Sequence, residues 1–268
     1  MNKAKLIRAA GSMPMLGPWL RRRASQYEEG SVVEIKSGLA EGLKWKRHHR
    51  YVNGYWTGQY EYEMQLALKR ELSESGVFWD VGANAGFFSL IARRLVGERG
   101  EVVSFDPDPD NGDSVQAQID INGFGDAWRL ERAAVGGEPG VLPFRRSAPG
   151  SPKGHLAGLD SRGFDAGETG GDEVFEVPVV TMDAMLDRGR APDLIKMDIE
   201  GAEVMAMGGA ARLLREHKPT WLVELHGPES ERVVREALTS HGYSFFTIEG
   251  EPVSGDGLPR HFMARHAG

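Results

Sequence analysis

The chain of 268 residues contains no cysteine. That absence removes disulfide scaffolds, thiolate zinc sites, iron–sulfur clusters and cysteine nucleophiles together. It suits a reducing compartment, and a cytoplasmic location is the expectation. Also lacking is any run near the ~18 apolar residues of a membrane helix. The nearest approach, Ala9 to Leu20, is interrupted by Pro14, Gly17 and Pro18 and meets Arg21-Arg22-Arg23. No small-residue cleavage site follows, so neither a span nor a secretory signal is expected. Internal repeats are missing too.

What is present is an ordinary globular balance, with 40% hydrophobic and 26% charged residues. The length suits one large domain with an added cap. Charge is uneven: residues 1–50 carry 11 Lys/Arg and 4 Asp/Glu, net +7, which leaves −14 on residues 51–268. A solvated basic cap is the preferred reading, with nucleic acid not expected as a partner. Peripheral membrane contact through residues 1–23 and a homo-oligomer stay open. The expected division is a basic arm and β-hairpin cap over 1–60 and an enzyme domain over 61–268.

Alternating runs at 31–36 and 43–48 around glycines predict that hairpin, and Glu61 to Leu72 reads as an amphipathic helix. From Val77 onward short apolar strands alternate with helical stretches. Strands are expected at 77–81, 101–105, 128–134, 194–197 and 220–225, and helices at 86–95, 111–122 and 204–215. Thr181 is expected to cap a short helix start. Two antiparallel runs, 243–248 and 261–265, close the pattern. Such alternation predicts an α/β, doubly wound, mostly parallel sheet. Ser147 to Asp172, with seven glycines in 26 residues, is expected as a loop on the substrate side that includes His155.

Asp80-Val-Gly82-Ala-Asn84-Ala-Gly86 falls where the first of these strands turns into its helix. Its glycines are four apart, unlike the G-x-G-x-x-G of dinucleotide sites. A carboxylate at the strand's mouth repels pyrophosphate but accepts hydrogen bonds from an α-ammonium. Asp106, ending the next strand, suits a pair of ribose hydroxyls. Together these favour S-adenosylmethionine over NAD. An NAD-type oxidoreductase on the same sheet and a non-catalytic cofactor-binding protein remain the alternatives.

The strings Phe78-Trp-Asp-Val-Gly-Ala-Asn-Ala-Gly-Phe87, Ser104-Phe-Asp-Pro-Asp-Pro109, Ile121-Asn-Gly123 and Ile195-Lys-Met-Asp-Ile-Glu-Gly-Ala-Glu203 resemble the FkbM family of class I methyltransferases. Gly58-Gln-Tyr-Glu61 and Leu222-Val-Glu-Leu-His226 resemble it as well, so the likeness spans about residues 50–265. It implies a Rossmann-like seven-stranded methyltransferase sheet with an antiparallel last strand. It also implies an S-adenosylmethionine-dependent O-methyltransferase acting on a hydroxyl of a sugar, glycan or polyketide-type small molecule. By matching motifs, Asp80, Gly82, Ala83, Asn84, Gly86, Phe87, Asp106 and Pro107 would hold the cofactor. Asn122 and Ala133 would lie near the adenine and Glu61 near the methionine end. The family usually has Glu where this chain has Asp106, which changes the carboxylate's reach.

An alcohol needs its proton removed before it attacks a methyl carbon. Strand alternation sends Lys196 and Asp198 to one face, with Asp198 at the carboxyl end, Glu200 in the turn beyond and His226 after the next strand. These four are the candidate catalytic residues, with a neutral His226 as one choice of base. Glu203 reads as a complement to its helix dipole. Asp198 with Glu224 would offer oxygen ligands to Mg²⁺, as in some other methyltransferases, but a metal-free site is preferred.

Overall fold

The structure, a computed structural model, describes residues 27–51, 53–146, 154–156, 173–255 and 257–267. The basic arm 1–23 and most of the segment 147–172 lie outside the described residues. The chain divides into two compact units between Tyr62 and Glu63. In the first, β1 (Val32–Glu34) pairs antiparallel with β2 (Lys44–Lys46) through Val33↔Trp45. Trp45, Tyr51 and Tyr55 are buried there, and the Arg47 guanidinium stacks 4.2 Å over Tyr27. These aromatics, with the fully buried Ile35 and Ala40, form the core of this unit.

The second unit is built on a seven-stranded sheet of order β12-β13-β11-β10-β3-β4-β5. Its strands are β3 (Val77–Val81), β4 (Glu101–Phe105), β5 (Trp128–Glu131), β10 (Leu194–Met197), β11 (Thr220–Glu224), β12 (Tyr243–Thr247) and β13 (His261–His266). β13 runs antiparallel to both its neighbours, while β10, β11, β3, β4 and β5 pair in parallel. All five residues of β3 are buried, as a central parallel strand covered on both faces requires. The order reverses at β3, where β10 lies on one side and β4 on the other. Ligands of doubly wound sheets bind at such a switch point, beyond the strands' carboxyl ends.

The helices follow from ordinary signals. They are α1 (Tyr62–Glu71), α2 (Phe87–Val96), α3 (Pro109–Asn122), α4 (Met182–Met185), α5 (Glu203–Gly208), α6 (Ala211–Glu216) and α7 (Pro228–Ser240). The Asp108 carboxylate caps α3 by accepting from the Asp110 and Asn111 amides, with Pro109 in the first turn. Thr181 caps α4 through Ala184 N. No helix among the described residues is long and apolar enough to cross a membrane.

Three features depart from the sequence expectation. The strand expected over 128–134 breaks after Glu131, where Ala133 N turns back to Glu131 O. The chain then leaves the main sheet to begin a second one. That sheet, of order β6-β9-β7-β8, comprises β6 (Ala134–Val135), β7 (Gly140–Arg146), β8 (Gly154–Leu156) and β9 (Glu173–Val180). Ala134, Phe144, Leu156, Val177, Val179 and Ala202 pack into a small core of their own. Finally, the helix expected over 204–215 is two helices. A Cβ at Gly209, between them, would lie 2.3 Å from the Gly136 carbonyl oxygen, so only glycine fits there.

Candidate active site

A cleft opens over the carboxyl ends of β3, β4 and β10 and is roofed by the second sheet. It encloses about 660 Å³ of space, part of it open to solvent. Gly82, Asn84, Asp106, Pro107, Ala133, Asp198 and Glu200 line it among the residues singled out from sequence, and Asn111, Phe144, His155 and Leu156 add to its walls.

The loop after β3 is pinned from two sides. Gly82 N and Ala83 N donate to the Phe105 carbonyl, and Asp198 N donates to Val81 O. Gly82 has φ 85°, and a Cβ there would sit 1.9 Å from the Asp198 carbonyl oxygen. Only glycine lets the loop touch the end of β10. Asn84 adopts φ 51°, a left-handed conformation that Asn tolerates better than most side chains, and its side chain accepts from Ala85 N.

Asp106 is the focal acid of this half. It is 5% exposed and accepts from Asn84 N (2.7 Å), Asp108 N (3.0 Å) and Asn111 Nδ2 (3.2 Å). Burial outweighs these donors and raises its pKa to about 7. Asp108 beside it is clamped by Arg146 of β7, whose Nε and Nη2 both reach the carboxylate at 2.7 Å. Arg146 also holds Glu173 of β9 at 2.8 Å. Bidentate pairing of this kind fixes geometry as well as charge, so the second sheet is tied to the N-terminus of α3.

Asp80, Ala83, Gly86, Phe87, Asn122 and Lys196 are not among the lining residues. Asp80 is 1% exposed and turned into the sheet, at the end of a polar string. Trp128 Nε1 donates to Ser104 Oγ (2.7 Å), Ser104 contacts Ser89 (2.6 Å), and Ser89 donates to Asp80 (2.5 Å). The other oxygen, Oδ1, has no hydrogen-bond partner. Burial raises the Asp80 pKa against the opposing pull of Lys196, whose Nζ lies 3.9 Å away. Lys196 Nζ is also 3.4 Å from Asp198 and 5.2 Å over the Phe88 ring. Asn122 donates to the Gln118 carbonyl within α3. Glu61, with φ 40°, belongs to the first unit.

The other half of the site stands where β10 and β11 end. His226 Nδ1 lies 2.9 Å from Glu203 Oε1, and its Nε2 faces Glu200 (3.4 Å), Glu224 (3.6 Å) and Asp198 (3.8 Å). Glu203 is fully buried and accepts from Ser230 Oγ (2.8 Å) and, at 3.3 Å, from Ile199 N and Gly201 N. It therefore does far more than complement a helix dipole. Burial pulls the His226 pKa down, but Glu203, Glu200 and Asp198 overcome it and raise it to about 9. The ring is thus cationic at neutral pH, not the neutral base that the sequence suggests. Glu224 meets Arg260 (2.5 Å) and His261 (2.9 Å); burial raises its pKa, but His261, His226 and Arg260 prevail and hold it at about 2.

A doubly wound sheet with β13 inserted antiparallel, together with an acid-lined cleft at its switch point, defines a Rossmann-like methyltransferase fold. The comparisons with known proteins agree. Residues 80–245 match the methyltransferase FkbM domain, so the chain belongs to the FkbM methyltransferase family. Among solved structures it is similar to the methyltransferase FkbM from Methylobacillus flagellatus KT, with TM-score 0.50 and 19% identity over 72% of this chain. The chain spans 44% of that protein's length. It is also similar to the precorrin-6y C5,15-methyltransferase from Geobacter metallireducens GS-15 (TM-score 0.44, 13% identity, 76% of this chain and 88% of that one). A SAM-dependent O-methyltransferase from Thermotoga maritima gives TM-score 0.40 and 9% identity over 76% and 64% of the two chains. No curated protein sequence matches significantly.

Proposed function

We propose that this chain is an S-adenosylmethionine-dependent O-methyltransferase acting on a hydroxyl of a sugar, glycan or polyketide-type small molecule. One observation carries the cofactor choice. The described lining of the cleft includes Asp106, Asp198 and Glu200 but no Lys or Arg. Such a surface disfavours a pyrophosphate and favours a cation. When bound, S-adenosylmethionine would supply an electrophilic methyl carbon on a sulfonium, the C–S bond breaking to release S-adenosylhomocysteine as the acceptor oxygen bonds to that carbon.

The chain's own residues supply position and proton transfer. Asp106 accepts from the ribose hydroxyls, Asn84 and Gly82 shape the floor, and Ala133 and Pro107 offer apolar contact to the adenine. The acceptor enters on the Asp198 side, under Phe144 and Leu156, which exclude water from the reacting oxygen. Its hydroxyl proton passes to the Asp198–Glu200 pair, which faces the His226 ring. The absence of cysteine is in keeping with work in the cytoplasm.

Labelled S-adenosylmethionine incubated with the protein and a metabolite and glycan extract tests this reading. Label should transfer to a hydroxyl-bearing product. Asp198→Asn should bind the cofactor as the natural chain does and transfer the label at least 100-fold more slowly, within the usual range for one general base. Unchanged turnover in that variant removes the assigned role of Asp198, and transfer to nitrogen or carbon removes the O-methyl assignment.

A further inference from the structure

We propose that Asp198, Glu224 and His226 form a binding site for a first-row divalent cation of the Mn²⁺ class, with Glu203 as the residue that positions the imidazole. The donor atoms of these three residues, one from each, lie within 4.8 Å of one another at the ends of β10 and β11. The set is not merely acidic, because its nitrogen ligand is already oriented. Nδ1 of His226 donates to the buried Glu203, and Glu203 is in turn held by Ser230 and two backbone amides. This carboxylate–imidazole pairing is the arrangement that fixes the tautomer of metal-bound histidines. It leaves Nε2 as the metal-facing atom, where a cation binds by displacing the Nε2 proton.

Nε2 faces three carboxylates at 3.4–3.8 Å, on a side chain that is 12% exposed. Ligand atoms about 2.1 Å from a metal are about 3.0 Å apart in octahedral geometry and about 3.5 Å in tetrahedral, somewhat closer than these groups stand. Within the set, Nε2 lies 3.6 Å from Glu224 and 3.8 Å from Asp198, so the three ligands draw together when an ion binds. Glu224 Oε1 holds Arg260 with one lone pair and retains another. The imidazole favours a first-row transition ion over Mg²⁺ or Ca²⁺, which prefer oxygen-only sites, and the two carboxylates suit Mn²⁺ within that series. Asp198 borders the cleft, so a cation here would present its open positions to an acceptor hydroxyl and lower that group's pKa. Glu200, outside the set of three, is then left to take the proton. This catalytic meaning rests on the proposed methyl transfer; the binding itself does not.

The test is Mn²⁺ binding by the EDTA-treated full chain, read from loss of the free-ion electron paramagnetic resonance signal, without cofactor. One equivalent should bind. Asp198→Asn and His226→Ala should each weaken binding at least tenfold, and Glu203→Gln should weaken it about 10–100-fold. Glu229→Gln, on the exposed face of α7 beside Arg232, should leave it unchanged. If His226→Ala does not fold by circular dichroism, Asp198→Asn, at a side chain 26% exposed, still carries the test. Failure to bind Mn²⁺, binding indifferent to Asp198→Asn, or equal competition from Mg²⁺ would overturn the proposal. S-adenosylmethionine binding is titrated separately on the same sample. Cofactor binding without Mn²⁺ binding sinks the cation site alone. Mn²⁺ binding without cofactor binding upholds the site and sinks the methyltransferase reading.

Discussion

Asp106 should make the protein less stable and more useful at once, and replacing it with Asn separates the two effects. Its pKa of about 7 lies well above the ordinary 3.8. A raised carboxyl contributes its full stability below the unfolded value and loses it as pH climbs through the folded one. The loss therefore falls between about pH 4 and pH 7, and it totals ~4 kcal/mol at 1.36 kcal/mol per pKa unit. Asp106→Asn abolishes this dependence. It also turns one of the acceptor oxygens facing Asn84 N, Asp108 N and Asn111 Nδ2 into a donor, which costs about 1–3 kcal/mol at every pH. The variant should accordingly be the less stable form in acid and the more stable one at pH 8. Urea unfolding, followed by tryptophan fluorescence at pH 5 and pH 8, should show the variant gaining ~2.5 kcal/mol on the natural chain between the two. Cofactor affinity should meanwhile drop about 10–100-fold, as expected when a charge-assisted hydrogen bond to the ribose is lost. A stability difference that is the same at both pH values, or that moves the other way, refutes the assignment of a buried, ligand-seeking carboxylate.

Other variants probe the scaffold around the cleft. Arg146→Met leaves the Asp108 carboxylate buried without its guanidinium, and should lower unfolding free energy by about 3 kcal/mol; a loss below 1 kcal/mol would mean that the clamp is incidental. Gly82→Ala combines a φ of 85° with a Cβ driven into the Asp198 carbonyl oxygen, so ~2–5 kcal/mol of stability and detectable cofactor binding should both disappear. Natural-like calorimetric behaviour of that variant would contradict the close approach of loop and strand. Ser89→Ala strips Asp80 of its side-chain hydroxyl donor; melting temperatures should show a deficit that grows with pH, because the ionised carboxylate is the form deprived.

Much of the main sheet is legible from pattern alone. Val77–Val81 and Glu101–Phe105 form strands at the residues that the apolar runs mark, because a strand buried on both faces has little choice of composition. The second sheet was not legible. β7 and β9 mix buried Phe144, Val177 and Val179 with exposed Val141 and Val174, so their alternation carries little contrast, and their partners are distant in sequence. The site divides in the same way. Gly82, Asn84, Asp106 and Asp198 announce themselves as glycine and acid positions at strand ends. Arg146 and Glu203 do not, since each matters through a partner far along the chain, Asp108 and His226 respectively. A proline-started helix after Asp108 could have pointed to the capping acid and to Asn111 behind it. Nothing local could have shown that Asp80 turns inward to Ser89 rather than outward to a ligand.

The most direct test of the central claim is isothermal calorimetry of the full chain with S-adenosylmethionine, S-adenosylhomocysteine and NAD in parallel. An acid-lined cleft free of described Lys and Arg predicts saturable one-to-one binding of both adenosyl compounds and no heat from NAD. Binding of NAD with no response to S-adenosylmethionine would contradict the account at its root.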